Sequence, residues 1–199
     1  TKQELYYLLE NGEAYCLELT NLENKTKILS DITGFDTYDD LILAYQKKDN
    51  LYSFYIDNQL ISDKALSVLD VQNGAFYFIQ YEGNLTKVET EADLQELNSN
   101  VATYRYQNGS VTKLGDGILS IADGFTNVAS DEYLVFGKFN GQTFDISLYN
   151  QKEDYTFSLG STDEYNVYAY DDTTKTIYYQ GKDGLFYQAN IDNKKLSNE

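Results

Sequence analysis

Leu5-Tyr6-Tyr7, Asn11-Gly12 and Tyr15 near one end of the chain are repeated in kind by Ile177-Tyr178-Tyr179, Asp183-Gly184 and Tyr187 near the other. Each is an apolar-aromatic run, a turn dipeptide and a second aromatic run, the pattern of a β-hairpin. Asn-Gly and Asp-Gly accept the positive φ that both central positions of a type I′ turn require, and that turn has the twist of the strands it joins. Three more such dipeptides lie between these ends: Asn73-Gly74, Asn108-Gly109 and Asn140-Gly141. This recurrence conflicts with a helical protein and points to an all-β chain of antiparallel hairpin repeats. Glu82-Gly83-Asn84, between Tyr81 and Leu85, reads as a further hairpin turn. The segment after it, Leu85-Thr86-Lys87-Val88, copies Val111-Thr112-Lys113-Leu114 and is expected to be a strand.

Between the turns, aromatic and β-branched residues often alternate with polar ones, as in Val101-Ala102-Thr103-Tyr104-Arg105-Tyr106, which fits strands with one wet face. Phe76-Tyr77-Phe78-Ile79, Tyr133-Leu134-Val135-Phe136 and Ile177-Tyr178-Tyr179 are more continuously apolar and are expected as inner strands covered on both faces. Asp36-Thr37-Tyr38-Asp39-Asp40, followed by Leu41-Ile42-Leu43-Ala44-Tyr45, reads as an acidic turn entering a strand, by likeness to Ser130-Asp131-Glu132-Tyr133. The best helix signal runs from Thr90 to Leu97, where Thr90 and Asp93 approximate a capping box and Leu94 and Leu97 share a face. Gly141 and Gly184 lie 43 positions apart, about one four-stranded propeller blade, but Gly83 and Gly109 are only 26 apart, so any period is irregular. Four or five irregular blades fill the length. With no Pro and no Gly/Ser tract to mark a linker, residues 1–199 read as a single repetitive β domain.

Composition narrows function more than it defines it. The 20 Tyr and 10 Phe favour strands. A formal charge of −17, from 32 acidic and 15 basic residues, repels a phosphate backbone and anionic lipid, so no nucleic-acid partner is expected. Arg105 is the one arginine. No apolar stretch approaches the length of a membrane span, so no membrane insertion is expected of this segment. The single cysteine, Cys16, has no intramolecular partner and is expected as a small buried packing residue. The chain starts Thr-Lys-Gln-Glu without Met and is expected to be excised from a longer secreted protein or lipoprotein.

Val167-Tyr168-Ala169-Tyr170-Asp171-Asp172, then Thr176-Ile177-Tyr178-Tyr179-Gln180, then Lys182-Asp183-Gly184-Leu185-Phe186-Tyr187 follow the blade order of strand, acidic turn, aromatic strand, Asp-Gly turn and strand. In this the chain resembles the tyrosine-rich β-propeller repeats of bacterial cell-envelope proteins. The resemblance covers the C-terminal third well and the remainder loosely. It lacks the Trp-Asp, Asp-box and Tyr-Trp-Thr-Asp motifs of named propeller subfamilies. It implies a β-propeller-like arrangement, complete or part of a larger propeller, and an extracellular or envelope-associated location.

A chain without histidine cannot build Ser-His-Asp, Cys-His or histidine-zinc sites, and phosphate-loop and dinucleotide fingerprints are missing. No catalytic residue, metal site or cofactor is assigned from sequence, and the binding residues stay unknown. Two acidic clusters, Asp36 with Asp39 and Asp40, and Asp171 with Asp172, lack the EF-hand spacing for calcium. Asn24-Lys25-Thr26, Asn84-Leu85-Thr86 and Asn108-Gly109-Ser110 match the glycosylation pattern by composition. Tyr6, Tyr104, Tyr106 and Tyr178 are candidates for sheet packing or for an aromatic binding platform. The expectation is a noncatalytic extracellular binding or protein-interaction domain with a protein or glycan partner. The alternatives are a carbohydrate-active enzyme, or its accessory subunit, using paired carboxylates, and a structural spacer or assembly module.

Overall fold

The computed structural model describes residues 4–38, 41–72, 74–119, 133–150, 152–153, 155–162, 167–171, 173–180, 183–190 and 195–197. It is an all-β chain of antiparallel meanders in a propeller-like succession, with four sheets following one another along the sequence. β1 (Glu4–Leu8), β2 (Ala14–Glu18) and β3 (Lys25–Leu29) form the first. The second has seven strands in sequence order: β4 (Gly34–Tyr38), β5 (Leu41–Lys48), β6 (Leu51–Ile56), β7 (Gln59–Gln72), β8 (Ala75–Tyr81), β9 (Val101–Gln107) and β10 (Ser110–Asp116). β11 (Ile118–Leu119), β12 (Tyr133–Phe139), β13 (Phe144–Asn150) and β14 (Tyr155–Thr162) form the third. β15 (Val167–Asp171), β16 (Thr176–Gln180), β17 (Phe186–Asn190) and β18 (Lys195–Ser197) form the fourth. One helix among the described residues, α1 (Glu91–Ser99), joins β8 to β9.

The seven-stranded sheet is two four-stranded meanders that share one strand. Residues 59–65 of β7 pair with β6, from Ile56↔Gln59 to Tyr52↔Ala65. Residues 65–72 pair with β8, from Ala65↔Gln80 to Gln72↔Ala75. A flat sheet would hold Phe54, opposite Ser62, and Phe78, opposite Val68, roughly 20 Å apart along the strand direction alone. Their ring centroids are 6.0 Å apart, so β7 bends and folds the sheet over. The register breaks twice on each side of β7, and such bulges are what bend a strand. Leu43, Phe54, Ile56, Ile61, Ala65, Phe76, Phe78 and Tyr106 are buried inside the fold.

The two end hairpins share one strand register. Tyr7 pairs with Tyr15 and Tyr179 with Tyr187, at equal distance from equally long loops. Their turns are longer than a two-residue type I′: Leu8 is opposite Ala14, with the loop closed by the Leu9 amide donating to Glu13 O and the Gly12 amide to Leu9 O. Gly12, at φ 82, supplies the left-handed residue. The Asn140 loop is also longer than two residues, spanning 140–143, its side-chain oxygen accepting from the amides of Gln142 and Thr143. Asn108-Gly109 is a true two-residue turn, with φ 53 and 79 between Gln107 and Ser110. Gly74, at φ 70, closes the turn between Gln72 and Ala75, although Asn73 lies outside the described residues. Asp57-Asn58, at φ 50 and 65, and Asp49-Asn50, with Asp49 at φ 54, form further two-residue turns that contain no glycine.

Other expectations divide. Thr90 caps α1, accepting from the Asp93 amide while the Asp93 carboxylate accepts from the Thr90 amide. Residues 41–48 are a strand as expected, but Asp36, Thr37 and Tyr38, read as part of an acidic turn, belong to the strand β4 and pair with Leu43, Ile42 and Leu41, and Asp39 and Asp40 lie outside the described residues. Leu85–Val88 is not a strand, and Glu82-Gly83-Asn84 is no hairpin turn. The cause is Tyr81. Its fully buried side chain accepts a hydrogen bond from the Leu85 amide and donates one to Glu96, so the chain wraps the ring and leads into α1. A Cβ on Gly83 would stand 2.1 Å from the Tyr81 Oη, which explains glycine there. Phe76, Phe78, Leu134, Val135 and Phe136 are buried as inner-strand residues, and so is Ile177, but Tyr178 is 39% exposed, so the strand is not covered on both faces at that position.

Sheets pack on one another through small apolar clusters. Ala14, Ile32 and Ala44, with Ile28, Phe35 and Tyr55, join the first sheet to the second. Leu114, Leu134 and Phe136, with Leu69 and Tyr77, join the second to the third. An ion network reinforces that second junction. Lys113 reaches both Glu82 at 3.0 Å and Asp116 at 2.9 Å, and Lys138 of β12 approaches Asp116 at 3.7 Å. Burial would raise the Glu82 carboxyl, but hydrogen bonds from Lys113, Tyr104 and Gln80 outweigh it and hold it below its ordinary value. The Lys113 hydrogen bond is the main cause that lowers Asp116. Burial, and then the hydrogen bond to Glu82, pushes the Tyr104 hydroxyl up to about 12.

Lowered carboxyls stabilise the fold above their unfolded values of about 4, and that contribution disappears as pH falls through the lowered values. The members are partly exposed, so solvent screening limits the network to about 1 kcal/mol. Lys113→Met is therefore expected to lose about 1 kcal/mol in urea denaturation at pH 7. The deficit relative to the unsubstituted protein should shrink as both are titrated below pH ~4.

Candidate functional site

The fold at β7 leaves a groove of about 270 Å³ lined by Asp36, Leu43, Tyr45, Tyr52, Phe54, Leu66, Ser67 and Val68. Strand alternation builds it. Gly34, Asp36 and Tyr38 project from one face of β4, and cross-strand pairing sets Gly34 beside Tyr45 and Asp36 beside Leu43. On β5 and β6 the same face carries the pairs Tyr45↔Phe54 and Lys47↔Tyr52. The bent second half of β7 supplies Leu66, Ser67 and Val68 as the facing wall. The result is an apolar, aromatic cleft with few polar groups, the usual composition of a small-ligand site.

Its aromatic corner is well defined. Tyr45 and Tyr52 meet edge to face, with centroids 6.0 Å apart and planes at 81°. Tyr52 and Phe54 are 6.0 Å apart at 36°. Phe54, only 4% exposed, forms the base and is held from behind by Phe76 and Phe78. Tyr45 lies over Gly34, where a Cβ would come within 2.5 Å of its Oη, so glycine at 34 is what lets the ring lie there. The exposed Lys47 places its Nζ 6.0 Å from the Tyr52 centroid. Asp36 is the charged residue of the lining and makes no ion pair among the described residues. Burial, and next the Asp36 charge, raises the pKa of the neighbouring Tyr38 hydroxyl.

A second cleft of about 250 Å³ opens between the first two sheets, lined by Tyr6, Cys16, Ile28, Leu29, Ile42, Ala44, Tyr55, Asp57 and Asn58. Tyr6 donates to Glu4 at 2.6 Å, and that hydrogen bond, with burial behind it, raises its pKa. Cys16 is only half-buried and lines the cleft, so it is not the small buried packing residue expected.

The remaining sequence candidates fall elsewhere. Tyr104 stacks on Phe78 at 5.7 Å and donates to Glu82, Tyr106 is in the core, and Tyr178 is exposed on the fourth sheet. These tyrosines share no site. Asp171 spends its carboxylate on the amides of Thr173 and Thr174 and the Thr174 hydroxyl, a turn-closing role. Asp172, Asp39 and Asp40 lie outside the described residues. Among the described residues no group of three acidic or cysteine side chains is placed to hold a metal, and no helix is long and apolar enough to cross a membrane. Tyr45, Tyr52 and Phe54 were not distinguished by sequence. The available signal was Asp36, an acid sharing a strand face with Gly34 and Tyr38.

No protein-family model matches the chain, and neither does any curated protein sequence. Among solved structures it is similar to TolB from Acinetobacter baumannii, with 15% identity over 96% of this chain and 50% of that one and a TM-score of 0.41. It is also similar to apo AztD from Citrobacter koseri, with 11% identity, coverage of 100% and 58%, and a TM-score of 0.42. A chain of a nidogen/laminin complex aligns at 10% identity over 96% of this chain and 75% of that one, with a TM-score of 0.38. The chain spans half of that TolB and under three-fifths of that AztD.

Proposed function

We propose that this chain is a noncatalytic, propeller-type binding domain and that the β7 groove is its binding site. The observation that carries the reading is the aromatic corner of Tyr45, Tyr52 and Phe54, held rigidly by the folded sheet and open to solvent beside one carboxylate. Rings fixed by packing offer contact area without the entropy cost of ordering flexible side chains. Two-acid hydrolysis needs a second carboxylate about 5–10 Å from the first, across the scissile bond. The described linings carry one each, Asp36 in the groove and Asp57 in the second cleft, and this favours binding over turnover. An extracellular or envelope-associated setting in a bacterium belongs to the same proposal and is supported by the likeness of residues 167–187 to envelope propeller repeats.

Glycan and peptide arrays probed with the purified chain test it. Binding to at least one class is expected, with no hydrolysis of bound glycans and a loss of at least about tenfold for Tyr52→Ala, as for an aromatic anchor at the centre of a contact. Binding indifferent to Tyr52→Ala would remove the groove from the reading, and turnover of a bound glycan would overturn the noncatalytic claim.

A further inference from the structure

Resting on the groove as the binding site, we infer that its ligand is a compact organic cation of the alkylammonium class. Three observations converge. First, Tyr45 and Tyr52 meet at 81°, so a group in their corner faces one ring and the edge of the other, and a ring face attracts positive charge through its quadrupole. Second, the lining's charged side chain is Asp36, exposed and without an ion pair among the described residues, which leaves its carboxylate available to a ligand. Third, the protein already places an ammonium at this ring: Lys47 Nζ is 6.0 Å from the Tyr52 centroid. Lys47 is exposed and is not one of the lining residues, so a free cation can enter beside Tyr52 without displacing it.

Size and field agree with this assignment. A cavity of about 270 Å³ takes a group of several heavy atoms and is small for a folded segment. The formal charge of −17 raises the local concentration of cations and speeds their arrival at low salt. An anionic ligand would meet Asp36 and the overall field together. A neutral apolar ligand would gain the ring contacts but leave the carboxylate unused. A free small amine and a lysine side chain of a partner protein present the same positive charge to the groove.

The test uses choline and its uncharged carbon isostere, 3,3-dimethyl-1-butanol, titrated separately into the whole chain by calorimetry or NMR. N-acetyl-lysine N-methylamide reports the peptide source. Choline or the lysine amide is expected to bind with shifts at Tyr45 and Tyr52, and the better of the two identifies the source. The isostere should bind at least about fivefold more weakly than choline, the charge-dependent share of such a contact. Asp36→Asn, which keeps size and sits at an exposed position, should weaken both cations by a similar factor, and Asp57→Asn in the second cleft should leave them unchanged. Raising salt should weaken the cations and not the isostere. Equal binding of choline and the isostere at the groove would overturn the cation assignment while leaving the binding site in place. So would groove-dependent array binding with no response to either cation. Array binding that ignores Tyr52→Ala would overturn the site itself, and the cation assignment with it.

Discussion

Phe54→Ala is expected to destabilise the protein by about 3–5 kcal/mol, the range for removing a large aromatic side chain from a close-packed core. Phe54 touches Tyr52 on its own strand and Phe76 and Phe78 across the fold, each with centroids 6.0 Å away. Its ring packs in the angle made by bent β7, between the two meanders, where Tyr38 also reaches across to Phe76 at 6.2 Å. Urea denaturation measures the loss. Phe54→Leu, which restores part of the volume, should recover more than half of it. A cost below about 1 kcal/mol for the alanine variant would mean that the two halves of the sheet do not pack as described.

Gly117→Ala is expected to cost about 2–4 kcal/mol, from left-handed backbone strain and overpacking together. Gly117 has φ 93, and a Cβ there would lie 2.6 Å from the Gly137 carbonyl oxygen and 2.9 Å from its carbon. These are backbone atoms of β12, which cannot rotate away as a side-chain end would. Gly117 also donates its amide to Val101 O at 2.7 Å and accepts at its carbonyl from the Thr103 hydroxyl at 2.9 Å. The residue is the crossing point between the second and third sheets, so the variant should loosen that junction. A lowered midpoint with faster amide exchange at Val101 and Gly137 is the expected signature. Gly109, where a Cβ meets nothing within 4 Å, is the control: its alanine variant carries strain at φ 79 without the collision.

The hairpin content of this chain was legible because turn chemistry is local. Asn108-Gly109 and Thr90 with Asp93 act through their own backbone, and both did what their residue types dictate. Leu85–Val88 was misread because its likeness to Val111–Leu114 is also local, whereas the Tyr81 ring that overrides it becomes decisive only when buried against Gly83 and Glu96. Asp57-Asn58 was overlooked since Asn can replace Gly at positive φ. The groove was the least legible part. Alternation shows that Tyr52 and Phe54 share a face, but the residues opposite them come from the far half of β7, and nothing in Gln59–Gln72 announces the bend. Bulges depend on how two neighbouring strands compete for one backbone, which is settled by the assembled sheet.

The meander order has a consequence for how the chain reaches this state. Every pairing among the described strands joins neighbours in sequence, and the most distant, β8 with β9, is bridged by α1. Loop-closure entropy is therefore small at each step, and contact order is low for an all-β protein. Refolding should be faster than for a Greek-key sandwich of equal length. Because β7 is common property of two meanders, residues 34–116 should fold and open as one cooperative unit, while the first, third and fourth sheets can exchange their amides separately.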